Sequence, residues 1–388
     1  MKPLVTALAG LLVLAQGAWA DLSVQAHYLQ VETPRPPVLS NLDPVPDDLG
    51  RAGAALALID NRTTGRFLGQ QHDLTVVTVP QDGDPLAAAR DALAASALLL
   101  VDAPAATLLA IADLPEAKGA LLFNVGAEDT ALRGPDCRAN LFHTIPSLAM
   151  RADALMQFFV KRRWTKLALI EGTHPADLAF ANALVRSATK FGLKIGAPKK
   201  WVFDADMRRN AAQEVPLFTQ DLGEYDALLV ADETGDFGRY IAYNTWIPRP
   251  VAGSEGLTPV AWSPVVEQWG AAQLQSRFQD SAGRPMQSRD YAAWAALRAI
   301  GEAVTRTGSN DPATLRAFLL SPDFELAGFK GSALTFRTWN GQLRQPIPLV
   351  QPRAMVAQAP LEGFLHQRGE LDTLGLDLPE AACPAFAP

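Results

Sequence analysis

The residues from which metal, thiol or phosphate chemistry would be built are few. The chain has five histidines and two cysteines. No histidine falls in an H-E-x-x-H or H-x-x-x-H pair, and Cys137 and Cys383 stand far apart, so no zinc-ligand spacing is present. A G-x-S-x-G nucleophile elbow is absent; the nearest string, Gly253-Ser254-Glu255-Gly256, has the wrong spacing. The stretch LGRAGAALALIDNRTTGRFLG, from Leu49 to Gly69, carries four glycines. Their spacing matches neither G-x-G-x-x-G nor a Walker A loop, so they do not form a phosphate cradle. Catalysis, an intrinsic cofactor and a built-in metal are not implied, although a triad assembled only in space would escape such a search.

What elements could position a site instead? Apolar runs of strand length alternate with helix-length segments. The strands are expected over Leu22–Leu29, Leu74–Val79, Ala97–Asp102, Ala120–Asn124, Lys166–Glu171, Lys200–Phe203, Asp226–Ala231 and Pro259–Trp262. Helices are expected between them, the first near Asp47–Asp60 with Asn61 to Gly65 as the turn after it. Strands such as ALLLVD and KLALIE are apolar on both faces, as a parallel sheet covered by helices on both sides requires. The alternation means a doubly wound α/β architecture. It breaks at Val125–Leu141 and restarts near Lys166, which predicts two similar lobes. After Trp262 the expected elements are helices near Pro264–Gln279, Ser288–Thr307 and Asp311–Leu320, then extended segments near Ala333–Arg337 and Gln345–Gln351.

The first residues hold Lys2, an apolar run from Leu4 to Leu14 and the small-x-small pattern Ala18-Trp19-Ala20. This reads as a signal peptide over 1–20, cleaved after Ala20, and predicts a periplasm-like location. Removing it takes away one lysine, leaving 33 basic against 41 acidic residues, a net charge of −8. That balance argues against nucleic acid as a partner. In an oxidising compartment Cys137 and Cys383 form either one disulfide or two separate thiols.

In open α/β sheets, ligands sit beyond the carboxyl ends of the strands. In the first lobe that rule nominates Tyr28, Asp102 and the run Asn124 to Ala127. In the second it nominates Glu171, Thr173, His174, Glu233, Glu255 and Trp262. The two edges should face each other across a cleft that closes by a hinge motion. Trp262 either walls an aromatic ligand or packs the hinge. Glu171 is expected to cap the helix starting at Pro175. For an anionic ligand, the cations on loops at the correct edge are Arg35 and Arg133.

Four stretches carry a resemblance to a known family: the Leu49–Arg66 segment, VAGSEGL (Val251–Leu257), SRDYAAWAALRAIGEAVTRTGSNDPATL (Ser288–Leu315) and FKGSALTFRTWNGQL (Phe329–Leu343). In order and spacing they resemble the type I periplasmic solute-binding proteins, in the branched-chain amino acid receptor branch. Within it, DNRTTGRF, PSLAMRADAL, VEQWGAAQLQSRF and QLRQPI look like the subgroup associated with pyrroloquinoline-quinone-dependent alcohol dehydrogenase systems. The resemblance implies lobe 1 over 21–145 plus 263–328, lobe 2 over 146–262 plus 329–358, a multi-strand hinge, and a tail over 359–388. It implies the binding protein of an ABC-type transporter that takes the quinone (PQQ) or a metabolite of that pathway. The alternatives are an accessory or sensor protein of a quinoprotein dehydrogenase, or a branched-chain amino acid receptor. Glu255 matches the family's ammonium contact, whereas Asp102-Ala103-Pro104 and Asn124-Val125-Gly126-Ala127 lack the hydroxyls that hold an amino-acid carboxylate.

Overall fold

The computed structural model describes residues 22–34, 45–202 and 207–386. The expected signal peptide, Arg35 and Phe203 lie outside them. Among the described residues no helix is long and apolar enough to cross a membrane.

The first sheet is built from β1 (Leu22–Val31), β2 (Gln70–Val79), β3 (Leu98–Asp102), β4 (Leu121–Asn124) and β5 (Leu141–His143). Its order is β2-β1-β3-β4-β5, with every pair parallel. Connections run through α1 (Arg51–Leu68), α2 (Pro85–Ala95) and α3 (Ala105–Ala112). The chain winds outward from β1 in both directions, so the strand order reverses between β1 and β3, where a crevice opens.

The chain then passes through α4 (Leu148–Arg162) into a second sheet of β6 (Lys166–Glu171), β7 (Lys194–Ile195), β8 (Lys199–Lys200), β9 (Ala227–Ala231) and β10 (Val251–Gly253). These connect through α5 (Pro175–Lys190), α6 (Met207–Thr219) and α7 (Gly238–Ile241). The order β10-β9-β6-β7, with β8 also on β6, places the second reversal between β6 and β9.

β11 (Thr258–Pro259) leads back to the first sheet, where α8 (Ala271–Ala282), α9 (Ser288–Thr307) and α10 (Pro312–Leu319) complete its core. The pairs β12 (Leu326–Ala327), β13 (Ala333–Phe336) and β14 (Leu343–Arg344), then β15 (Ile347–Gln351) and β16 (Ala354–Ala359), are antiparallel. Three segments thus join the two bodies: 144–147, 258–262 and 343–347. On their two sides the buried side chains belong to separate cores, one around Trp294 and Phe336 and one around Leu169 and Leu349.

Several elements differ from the sequence reading. Asn61 to Gly65 is not a turn, because α1 continues to Leu68 and ends at Gly69, which is left-handed with φ 65°. The polar residues that suggested a turn are spent on packing. Asn61 donates to the Leu297 carbonyl of α9 at 2.9 Å, and Arg62 donates to the His72 carbonyl and pairs with Asp73 on β2. The helix expected from Pro264 starts only at Ala271, after the left-handed Gly270. The Pro259–Trp262 strand is only Thr258–Pro259, and among the described residues of the expected Lys200–Phe203 strand only Lys200 is extended into one, as part of β8.

Gly53 has a specific reason to lack a side chain. A Cβ there would lie 1.9 Å from the Asp290 carbonyl oxygen of α9. In an open helix alanine would gain about 1 kcal/mol over glycine. Here overpacking against backbone outweighs it, so Gly53→Ala is expected to destabilise by about 1–3 kcal/mol, read by urea unfolding. A stabilised variant would show that α1 and α9 separate freely.

The C-terminal tail straps both bodies together. Asp372 accepts from Arg337 at 3.0 Å and from Arg344 at 2.7 Å, and the Lys190 ammonium on α5 donates to the Gly375 carbonyl and to Glu380. After α11 (Leu378–Ala381), Cys383 is bonded to Cys137 in the loop before β5. The disulfide closes a sequence separation of 246 residues. Cys137→Ser is expected to lower stability by about 2–4 kcal/mol, as for a cross-link over a long loop. An unchanged urea midpoint would mean that the ionic contacts alone hold the tail.

Candidate functional site

The carboxyl ends of the two parallel sheets face each other across a cleft of about 880 Å³. One wall comes from the ends of β1 and β3 (Gln30, Val31, Asp102, Ala103) and the loop Gly126–Asp129 after β4. The opposite wall is the start of α4 (Leu148), the first two turns of α5 (Pro175, Ala176, Ala179) and Glu233 after β9. Both topological reversals therefore open onto the same space, the position in which open α/β sheets bind ligands.

Asp102 ends β3 with 6% of its side chain exposed. Its Oδ2 accepts from the Tyr28 hydroxyl at 3.3 Å, and Arg289 lies 3.4 Å from Oδ1. Burial first, then the Asp102 charge, pushes the Tyr28 phenol well above its ordinary range, so it stays a donor. The neighbouring carboxylate holds Arg289 firmly protonated. Arg289 is the second residue of α9, whose start is fixed by the capping box of Gln287 and Asp290. Gly126 allows the β4 loop to pass close by, since a Cβ there would meet the Asp102 Oδ1 at 2.2 Å.

Between the sheets sits an ionic triad. Arg151, one turn into α4, donates to Glu128 of the first body at 2.5 Å and to both carboxylate oxygens of Glu233 at 2.6 and 3.0 Å. Its Nε donates to the Pro259 carbonyl, and its plane lies 4.5 Å from the Phe180 ring. Burial opposes its charge, but Glu128 and Glu233 outweigh that and hold the guanidinium above its ordinary range. For Glu233, burial acts to raise the pKa, while Arg151 and the Ser254 hydroxyl overcome it and leave the carboxyl below its usual value. Asp177 locks the Glu233 loop by accepting from the Glu233 amide at 2.7 Å and from the His174 amide at 3.1 Å.

The residues nominated from sequence divide into two groups. Asp102, Ala127 and Glu233 line the cleft. Tyr28 is fully buried beneath it, and Asn124 is spent on the loop, accepting from the Gly126 and Ala127 amides. Arg133 is not a surface cation: only 1% exposed, it donates to Gln342, to the Ala127 and Asp129 carbonyls and to the Ile145 carbonyl at 2.8–3.0 Å. Burial pushes its pKa down to about 9, and four of its N–H donors are taken by protein acceptors. Trp262 packs the hinge, stacked on Tyr291 at 4.9 Å and donating to Gln275, so it is no ligand wall. His174 pairs with Asp236 at 2.7 Å, Thr173 is exposed outside the cleft lining, and Glu255 lies against Gly238.

Sequence reasoning missed Gln30, Arg51, Glu128, Leu148, Arg151 and Arg289. Arg289 and Arg151 lie near helix starts, a signal within reach; that Arg289 lines the cleft follows only from the chain returning to the first body after β11, and Arg151 is set behind the wall by Glu128 and Glu233. Among the described residues no group of three His, Cys, Asp or Glu is arranged to hold a metal.

A family model described as periplasmic binding protein matches residues 48–205. No curated protein matches the chain. Among solved structures, a branched-chain amino acid ABC transporter periplasmic ligand-binding protein from Burkholderia xenovorans superposes with a TM-score of 0.73 at 16% identity, covering 94% of this chain and all of its own. An ABC transporter substrate-binding protein from Desulfitobacterium hafniense, in complex with Leu, gives 0.62 at 16% identity, covering 86% of this chain and 98% of its own. A solute-binding protein from R. palustris in complex with benzoate gives 0.62 at 13% identity, covering 86% and 95%. The chain has the α/β fold of type I periplasmic binding proteins.

Proposed function

We propose that the protein is an exported solute receptor of the ABC-transporter type, which takes up one small molecule between its two bodies, closes by bending the three connecting segments, and presents it to a permease. The observation that carries this reading is the cleft of about 880 Å³ onto which the reversals of both sheets open. Its volume lies within the ordinary range for small-molecule pockets. The structural neighbours that are periplasmic ligand-binding proteins support it, as does the run ending at Ala20 in the sequence.

The quinone implied by the subgroup resemblance would need cations for its carboxylates; Arg51 and Arg289 line the cleft, whereas Arg133 faces away from it. A quinoprotein dehydrogenase partner has no further support in the geometry. The second reading is a branched-chain amino acid receptor, favoured by the neighbours. Against it, the Gly126 and Ala127 amides that a ligand carboxylate would use already donate to Asn124.

The test is a melting-temperature panel of metabolite-sized solutes on the purified protein. A receptor at 100-fold its Kd gains about 2.7 kcal/mol of stability, which moves the transition visibly and keeps moving it with the logarithm of the ligand concentration. A panel spanning cations, anions, zwitterions and neutral solutes that leaves the transition unmoved would remove the receptor reading.

A further inference from the structure

We infer that the solute is a small organic monocarboxylate, held through its carboxylate by the guanidiniums of Arg51 and Arg289 on the first body; this rests on the receptor reading of the cleft. Both side chains line the cleft. Arg51 is the first residue of α1 and Arg289 the second of α9. The two helix starts are tied together, because the Gly50 amide donates to the Asp290 carboxylate at 2.7 Å. A Cβ on Gly50 would also lie 3.5 Å from the Arg289 Cγ, so the two guanidiniums rise from neighbouring points of one wall.

Their placement breaks a local rule. A helix start carries partial positive charge and favours acidic side chains, so an arginine in the first turn is disfavoured. The first turn of α1 has no acidic residue to offset Arg51, and that of α9 has only Asp290, which is spent on Gly50, Arg284 and its own cap. The protein consumes neither cation. Arg289 lies 3.4 Å from Asp102 yet donates no hydrogen bond among the described residues, while Asp102 is served by Tyr28 and Gln30. Arg51 spends one N–H on the Asp47 carbonyl, and its Nε has no acceptor. Two guanidiniums with unspent donors at two converging helix starts suit an oxyanion.

The charges around them limit that anion to one carboxylate. The deep carboxylates Asp102, Glu128 and Glu233 are balanced by Arg289, Arg151 and Arg133. Glu32, Asp47 and Asp129 are exposed, where salt screens them. What remains at the wall is the charge of Arg51 with the two helix ends. A second carboxylate on the solute would meet acids and no further cation. An ammonium finds no open pair of acceptors either, because Arg151 already lies between Glu128 and Glu233. An apolar body fits between Ala103, Pro104 and Ala127 on one side and Leu148, Pro175 and Ala179 on the other.

The experiment uses solutes matched in shape and differing in charge: benzoate with benzylamine, and 4-methylpentanoate with leucine and 3-methylbutylamine. Inorganic phosphate serves as the bare anion. Affinity is measured by calorimetry at low and high ionic strength, with closure followed by small-angle scattering. One of the two carboxylates is expected to bind at least about tenfold more tightly than its matched amine, leucine and phosphate, to weaken as salt rises, and to compact the protein. Arg289→Gln and Arg51→Gln should each lower that affinity about tenfold or more, with the melting temperature of the free protein retained. Carboxylate affinity unchanged in both variants would overturn the assignment and leave the receptor intact. Closure on an amine or on leucine, with no response to either carboxylate, would do the same. Phosphate binding as tightly as the carboxylates would overturn the organic acid as the solute. No compaction with any of these solutes would count against the receptor itself. Should one variant misfold, the other variant and the carboxylate-to-amine ratio in the parent protein still decide.

Discussion

Arg151→Met is expected to destabilise the protein by about 3–5 kcal/mol at neutral pH, the usual consequence of stripping the cation from buried carboxylates. Both Glu128 and Glu233 lose their partner, and Glu233 keeps only the Ser254 hydroxyl among its side-chain donors. The pH dependence fixes the sign. In the parent, Glu233 is held below its ordinary value of 4.5, so its contribution is present above that pH and disappears as pH falls through the lowered pKa. In the variant, burial is opposed only by the Ser254 hydroxyl and raises the same carboxyl, so the folded state regains stability as pH falls through the raised pKa. The gap between the two proteins therefore narrows on acidification. Urea unfolding from pH 7 to pH 4 checks it; a gap that stays constant would mean that the triad is not what Arg151 stabilises. Because Glu128 belongs to the first body and Glu233 to the second, the same substitution is expected to loosen the resting angle between them.

Arg133→Met is expected to cost a comparable 3–5 kcal/mol, roughly, but without any pH rescue. Its guanidinium supplies the carbonyls of Ala127, Asp129 and Ile145 and the side-chain oxygen of Gln342. Each orphaned buried acceptor costs about 1–3 kcal/mol, offset in part because the buried charge itself was unfavourable. None of those acceptors titrates, so the loss is flat from pH 5 to pH 8. Stability close to the parent would show that water replaces the guanidinium and that the β4 loop does not depend on it.

The two arginines show what sequence reading reaches. Alternation of apolar runs identified most strands and helices of both sheets, because a strand covered on both faces must be apolar throughout, as ALLLVD is. The same logic placed Asp102, Ala127 and Glu233 at the cleft, since a strand's carboxyl end is a position along the chain. It failed where the partner is distant in sequence. Arg133 sits on a loop at the correct edge, yet Gln342, 209 residues later, turns it inward. Trp262 and Tyr291 stack because α9 returns beneath β11, and nothing near Trp262 announces that. Asn61 looked like a turn residue because asparagine favours turns, and its amide instead ties α1 to α9. Arg289 became a cleft residue only through the return of the chain after β11, which periodicity does not encode.

Whether the two bodies close on a small solute is read from an inter-body distance. Spin labels at Asp82→Cys, beyond the end of β2, and Thr173→Cys, before α5, sit at exposed positions outside the cleft lining. The distance distribution is expected to shorten by several ångströms, on the order of a hinge closure, when a solute that raises the melting temperature is added. A distribution unmoved by cations, anions and zwitterions alike would contradict it.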